Sequence, residues 1–311
     1  MRVSVCIPTH QRAGLLARAL EALVHQRVGS ELDWEIVVAN NNCTDDTPRV
    51  VSRYAERAIV PVSQVFEARP GVSYARNAAI AVATGEILAF IDDDIRPEAS
   101  WLAAALNALE CEGADLVGGR ILPEWEAPPP AWLSANDELY DYLGLMAMSE
   151  RRRLTYPFAD RPRIWGGSMM VRRSTLDRVG VFNVSLGRIG AGLRHGEESD
   201  LIRRVLQAGL VVVYDPAILV YHWVPRERMR RRYFWRWVFG YAEGKAFYGG
   251  PRPAGASRLG FPRWMYRSLL RQGLRLAGAP LSLRRQIDFF WELGLMVGWH
   301  KRAQVERSAT R

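Results

Sequence analysis

Three consecutive carboxylates, Asp92, Asp93 and Asp94, directly follow the apolar run 87–91. Adjacent carboxylates repel one another and gain nothing structural from crowding, so a divalent cation is their natural compensation. Alternation along an extended chain sends Asp92 and Asp94 to one side, where they can share a metal-bound group. His222 closes another apolar run, 218–221. A neutral imidazole coordinates metals and a charged one favours phosphate, which makes it a candidate third ligand beside Asp94 and Asp92. A further acidic group, Glu197, Glu198 and Asp200, stands behind a glycine-spaced stretch at 188–196 and opens a helical pattern. A carboxylate at such a junction can take the proton of a substrate hydroxyl.

The elements that must carry these groups are strands alternating with helices. Apolar, β-branched runs at 3–7, 34–39 and 87–91 read as buried strands, and helical spacing covers 14–26, 46–55, 72–83 and 98–112. This order predicts an α/β fold with a doubly wound, mostly parallel sheet. Ligands of such sheets bind beyond the carboxyl ends of the strands, which brings segments 8–12, 40–46 and 92–94 to one edge. The proline-rich segment 123–162 reads as a long loop or lid. Beyond it come a strand at 164–172 holding the Gly166–Gly167 pair, a short helix at 174–179, a helix at 197–208, short strands at 210–214 and 218–221, and a basic helical stretch at 225–247.

Four motifs in this order carry a resemblance: Pro8-Thr9-His10-Gln11-Arg12 after the first strand, Asn40-Asn41-Asn42-Cys43-Thr44-Asp45-Asp46 after the second, Gly71-Val72-Ser73-Tyr74-Ala75-Arg76-Asn77, and Asp92–Asp94 at the place of an Asp-x-Asp. Over residues 1–222 the chain resembles the family 2 glycosyltransferases of GT-A fold. The resemblance implies a metal-dependent, inverting transfer of sugar from a nucleotide-sugar donor, with Mn2+ or Mg2+ as cofactor. It places Pro8, Thr9, Arg12, Asn40, Asn41, Arg76, Asp92 and Asp93 around the nucleotide sugar and Asp94 and Asp92 on the metal, where His222 is the candidate third ligand. Where many members have an Asp pair facing the base, this chain has Asn40 and Asn41, whose amides can donate as well as accept. On the acceptor side the resemblance places Trp165, Gly166, Gly167 and His195. It gives Glu198 the position of the base and Glu197 that of the acid before it.

Composition bounds the remainder. Of 311 residues 49% are hydrophobic, 10% aromatic and 24% charged, proportions that exclude a disordered or collagen-like chain. Three cysteines without a CxxC spacing support neither a disulfide framework nor a zinc knuckle, and point to a reducing cytosol. The opening apolar run is ended by Pro8, too early for a secretory core, and no run of about 18 apolar residues spans a bilayer. Residues 221–311 hold 19 basic and 5 acidic residues and six of the eleven tryptophans, so the net +9 of the chain leaves residues 1–220 at −5. Arginine interleaved with tryptophan suits an anionic membrane surface. The expected organisation is a catalytic domain at 1–222, with a nucleotide-sugar half at 1–120 and an acceptor half at 121–222. A basic, aromatic, helical region at 223–311 touches the inner face of the cytoplasmic membrane or another copy of the chain. The expected acceptor is a lipid-linked or cell-envelope glycan, extended one sugar at a time, because Tyr233-Phe234-Trp235-Arg236-Trp237 lacks the Gln of the processive Gln-x-x-Arg-Trp segment. A non-catalytic membrane module or a nucleic-acid binder leaves the Asp cluster without a purpose. A sugar nucleotidyltransferase requires a glycine-rich basic loop where Pro8–Arg12 stands.

Overall fold

Side chains on both faces of β1 (Arg2–Thr9) and β2 (Asp33–Asn40) are buried beyond the first residues, most of them apolar, the mark of strands covered on both sides. In the computed structural model, which describes residues 2–146, 154–155, 164–188, 195–248, 261 and 263–309, they pair in parallel with each other. With β3 (Val62–Phe66) and β4 (Ile87–Phe90) they form a four-stranded parallel half-sheet. The sheet continues through β5 (Ile95–Pro97), β6 (Leu116–Trp125), β7 (Leu154–Thr155), β8 (Met169–Arg172) and β9 (Val212–Val224). Its order is β3-β2-β1-β4-β8-β6-β9-β5, with β7 on β9. β8 enters antiparallel between β4 and β6, so the doubly wound sheet is mixed beyond β4.

Helices α1 (Ala13–Val24), α2 (Thr47–Arg57), α3 (Val72–Val82), α4 (Trp101–Cys111), the short α5 (Ala131–Ser134), α6 (Arg173–Val179) and α7 (Glu197–Gln207) accompany this sheet. A stripe at Leu16, Leu20 and Leu23 buries α1 completely along one face. Asp45 holds the start of α2 by accepting from the Thr47 N–H at 3.2 Å and its hydroxyl at 2.6 Å. Phe90 of β4 meets Phe182 edge-on, ring centres 5.1 Å apart, within the core formed by Leu88, Val37, Met169, Val171 and Leu201.

Three expectations change. Pro123–Trp125 do not open a loop but prolong β6, which pairs with β9 as far as Val224. The two short strands at 210–214 and 218–221 are one strand, β9, and the apparent break is a register shift opposite Gly119/Arg120 that absorbs Pro216. Within 164–172 only Met169–Arg172 is strand, because Gly166–Ser168 form a 3-10 turn. Of the expected lid, residues 147–153 and 156–162 lie outside the described residues, as do 189–194 of the glycine-spaced loop.

By its internal contacts the chain divides into two units, Met1–Ser185 with Glu197–Pro225, and Leu186–Gly196 with Arg226–Arg311. The second unit is built from α8 (Arg231–Tyr248), α9 (Arg263–Ala277) and α10 (Leu283–Ala309). α8 buries Phe234, Trp237, Val238, Ala242 and Ala246. α10 closes on it backbone to backbone at Gly294 and Gly298, where a β-carbon would stand 2.4 Å from the Phe239 carbonyl oxygen and 2.2 Å from that of Glu243. Trp235 stacks on Phe290 at 5.5 Å. Of the rings in this basic region, Trp235 and Tyr241 of α8 and Phe290 and Trp291 of α10 are engaged in packing between the helices. No described helix is long and apolar enough to cross a bilayer.

Candidate active site

β4 ends at Phe90, so strand alternation stops before the three aspartates and a turn decides their directions. Asp93 turns inward: its Oδ2 accepts from the Thr9 hydroxyl at 2.9 Å and its Oδ1 from Arg12 Nη1 at 3.0 Å. The same Nη1 donates to Asp94 Oδ2 at 3.0 Å. Burial pushes the Asp93 carboxyl up to about 7, with Arg12 opposing the rise and the charge of Asp94 adding to it. His222, brought by β9 opposite Ile95 of β5, sets its Nε2 3.4 Å from Asp94 Oδ2. Asp92 parts from this group and accepts from Arg76 Nη2 at 3.0 Å. The expected sharing of one side by Asp92 and Asp94 therefore fails, because turn geometry replaces strand geometry. Among the described residues no three of His, Cys, Asp and Glu converge in a metal-binding arrangement; of the expected trio, Asp94 and His222 stand together while Asp92 pairs with Arg76.

Arg76 is the hub of the site. It projects from α3 and is only 1% exposed, and its Nη1 donates to Glu197 Oε1 at 3.2 Å and Glu198 Oε1 at 3.3 Å. Its guanidinium also lies over the Phe182 ring, 5.2 Å from the centre. A planar cation with several donors can bridge carboxylates from separate elements, which an ammonium cannot do with the same geometry. Gly166 makes room for it: a β-carbon there would stand 2.3 Å from Nη2. The Gly166 N–H donates to Glu198 Oε1 at 3.2 Å, so Arg76 of α3 and the 3-10 turn before β8 hold this carboxylate from two sides.

Glu197 differs from its neighbour. Burial and then the charge of Glu198 push its carboxyl up to about 8, against the pull of Arg76, and its Oε2 is buried without a hydrogen-bond partner among the described residues. An acid whose pKa is higher folded than unfolded takes up a proton on folding, so between about 4.5 and about 8 its contribution to stability falls as pH rises. Glu197→Gln is expected to remove this part of the slope, stabilising the chain more at pH 8 than at pH 5. Thermal melts of both proteins across that range check it, and parallel curves would mean that Glu197 is ionised when folded.

The remaining predicted residues fall into distinct places. Pro8 stands one residue before the end of β1, Asn40 closes β2, and Asn40 Oδ1 accepts from the Cys43 N–H at 2.9 Å. Asn41 is committed to the backbone: its amide donates to the carbonyls of Glu67 and Arg69 at 3.0 and 2.7 Å and accepts from the Gly71 N–H at 2.8 Å. That spends its side chain on the turn leading into α3, which argues against a contact with the base. Gly167 lies against Asp92, and Trp165 is half-buried just before the 3-10 turn. His195 belongs to the helical unit, its ring 4.9 Å from that of Trp237 and 6.4 Å from that of Tyr241. Burial, reinforced by Arg188 and Arg228, holds it well below the usual histidine range and so neutral. Two supporting residues had no assigned role in the sequence reading. Phe182 is the floor under Arg76, and Asn77 pins it by donating to its carbonyl at 2.8 Å and accepting from its N–H at 3.0 Å. Asn77 is marked only by its place beside Arg76, and Phe182 by nothing local.

Comparison with known proteins bears on this site. The family model described as glycosyl transferase family 2 matches residues 4–180. The chain is 25% identical over 228 residues to the succinoglycan biosynthesis protein ExoM of Rhizobium meliloti (strain 1021), covering 73% of this chain and 69% of that protein. It is 26% identical over 226 residues to a glucosyl-dolichyl phosphate glucuronosyltransferase of Haloferax volcanii, covering 71% and 69%. Among solved structures, the mannosyltransferase PcManGT of Pyrobaculum calidifontis, in complex with GDP-Man and Mn2+, superposes with a TM-score of 0.61 at 20% identity over 97% of this chain and 87% of that one. S. aureus TarS 1–349 in complex with UDP gives 0.53 at 18% identity, over 95% and 90%.

Proposed function

The chain belongs to glycosyl transferase family 2, and from that premise we propose that it performs an inverting, metal-assisted transfer of one sugar at a time from a nucleotide-sugar donor to a hydroxyl of a lipid-linked or cell-envelope glycan. The observation that carries this reading is the Arg76 hub, which ties Asp92, next to the cluster at the sheet edge, to the Glu197–Glu198 pair at the start of α7. Glu198 is the base. Its carboxylate takes the acceptor hydroxyl proton as that oxygen attacks the anomeric carbon, and the bond from that carbon to the diphosphate breaks on the opposite face. The donors Arg76 and the Gly166 N–H aim its Oε1. Thr9, Arg12 and Asp93 border the donor, and Arg12, charged at every working pH, lies between Asp93 and Asp94.

Asp94 and His222 would hold the divalent ion. Their facing atoms, at 3.4 Å, stand as two neighbouring ligands of one ion would, and an oxygen with an imidazole nitrogen suits Mn2+ or Mg2+. Such an ion offsets the charge of the departing diphosphate. The complexes of PcManGT with GDP-Man and Mn2+ and of TarS with UDP support a nucleotide-sugar site of this kind. The basic helical unit supports a peripheral position at the inner face of the cytoplasmic membrane.

A thermal-shift screen of UDP-, GDP- and dTDP-sugars with Mn2+ tests the donor. A ligand at about 100 times its Kd adds about 2.7 kcal/mol of apparent stability, so the right nucleotide stands out. Asp94→Asn is expected to keep the unliganded melting temperature and lose the Mn2+-dependent part of the donor's shift. An undiminished shift would remove Asp94 from the ion.

A further inference from the structure

In the helical unit Trp235 of α8 stacks on Phe290 of α10 and Tyr241 lies near Trp291, and α9 is left with two faces. Met265 and Ser268 are buried on one. On the other, Leu270 and Leu274, one helical turn apart, are 65% and 66% exposed, and Trp264 is 52% exposed. Arg267, Arg271 and Arg275, spaced by four, run beside the leucines and are exposed. Leu281 protrudes from the turn after α9, 81% exposed, ahead of the exposed Arg284 and Arg285. From residue 263 to 287 there is no acid.

We infer that this face of α9, with Leu281, is the surface by which the chain docks on an anionic phospholipid bilayer. Leucines enter the acyl boundary, tryptophan takes the level between apolar and polar layers, and arginines with apolar stems and charged ends meet the phosphates. Charge decides against a second copy of the chain as occupant: two such faces in contact would bring arginine rows together with no carboxylate in either helix to answer them. Nucleic acid would leave the leucines without a partner. The inference rests on the peripheral-membrane reading above and narrows the contact from residues 223–311 to the outer face of α9.

Flotation of the full chain with vesicles of phosphatidylglycerol and phosphatidylcholine, at low and high salt, tests it with three proteins. The unaltered chain is expected to float with the anionic vesicles and to be released in part by salt. L270E/L274E, which alters two exposed positions, is expected to lose at least tenfold in vesicle partitioning with an unchanged melting temperature. R232E/R236E on α8 makes an even larger change of charge on an exposed surface, four units against two, and is expected to lose far less. Equal partitioning of the α9 variant and the unaltered chain would overturn the α9 assignment while keeping the membrane reading. No flotation of the unaltered chain would overturn both. A sedimentation dimer that L270E/L274E dissociates would show the face to be a contact between copies.

Discussion

Replacing Glu198 by glutamine is expected to slow sugar transfer by about 10²–10⁴-fold while leaving donor affinity nearly unchanged. Glutamine keeps the length, and its amide oxygen can still accept from Arg76 and the Gly166 N–H, so the fold and the donor side should hold. What it cannot do is take up a proton at neutral pH. The neighbouring Glu197 is no substitute, since its carboxyl is pushed up to about 8 by burial and is largely protonated already. Steady-state rates of the variants Glu198→Gln and Glu197→Gln, with donor affinity from thermal shift, separate the two. If the Glu197 variant is the crippled one and the Glu198 variant turns over normally, the roles within the pair are exchanged.

Arg76→Met is expected to cost about 3–5 kcal/mol of stability, because it removes a buried cation shared by Asp92, Glu197 and Glu198 and leaves the buried Glu198 carboxylate without that partner. Methionine fills much of the same space against Phe182, so the loss would be electrostatic rather than a cavity. Arg76→Lys should recover part of the stability, since a point charge cannot reproduce the planar bridge among three acids. Transfer should fall in both variants, as the base loses one of its two aiming donors. Denaturant unfolding of the three proteins reads the first effect. A methionine variant within about 1 kcal/mol of the parent would mean that the acids pair with protons, not with the arginine.

Much of this was legible in the chain. The strands 3–7, 34–39 and 87–91 are apolar on both faces, and only a covered parallel sheet suits such runs, so their carboxyl ends and the segments 8–12, 40–46 and 92–94 fall at one edge by the rule of the fold. β3 was not legible: Ser63 and Gln64 are exposed on an edge strand, and pairing with β2 alone makes it one. The merged strand β9 was hidden because Pro216 reads locally as a break, whereas pairing along β6 tolerates it at a register shift.

By itself the sequence determined the chemistry on offer: an acid cluster behind a buried strand, a pair of glutamates opening a helix, an arginine on α3 and a basic C-terminal region. The tertiary structure alone decided who meets whom. Arg76 reaches Glu197 and Glu198 across 121 and 122 residues, a pairing that no local pattern encodes, because burying a guanidinium requires partners from whichever elements the packing brings together. The same holds for Asn41, whose amide is spent on the turn at 67–71, and for Asp92, which the turn after β4 sends to Arg76 and away from Asp94. It holds for the helical unit too, where α8, α9 and α10 are all apolar on one side or more. There α8 and α10 approach closely at Gly294 and Gly298 while the leucines of α9 face outward, since a helix surface is buried or exposed by its neighbours and not by its own composition.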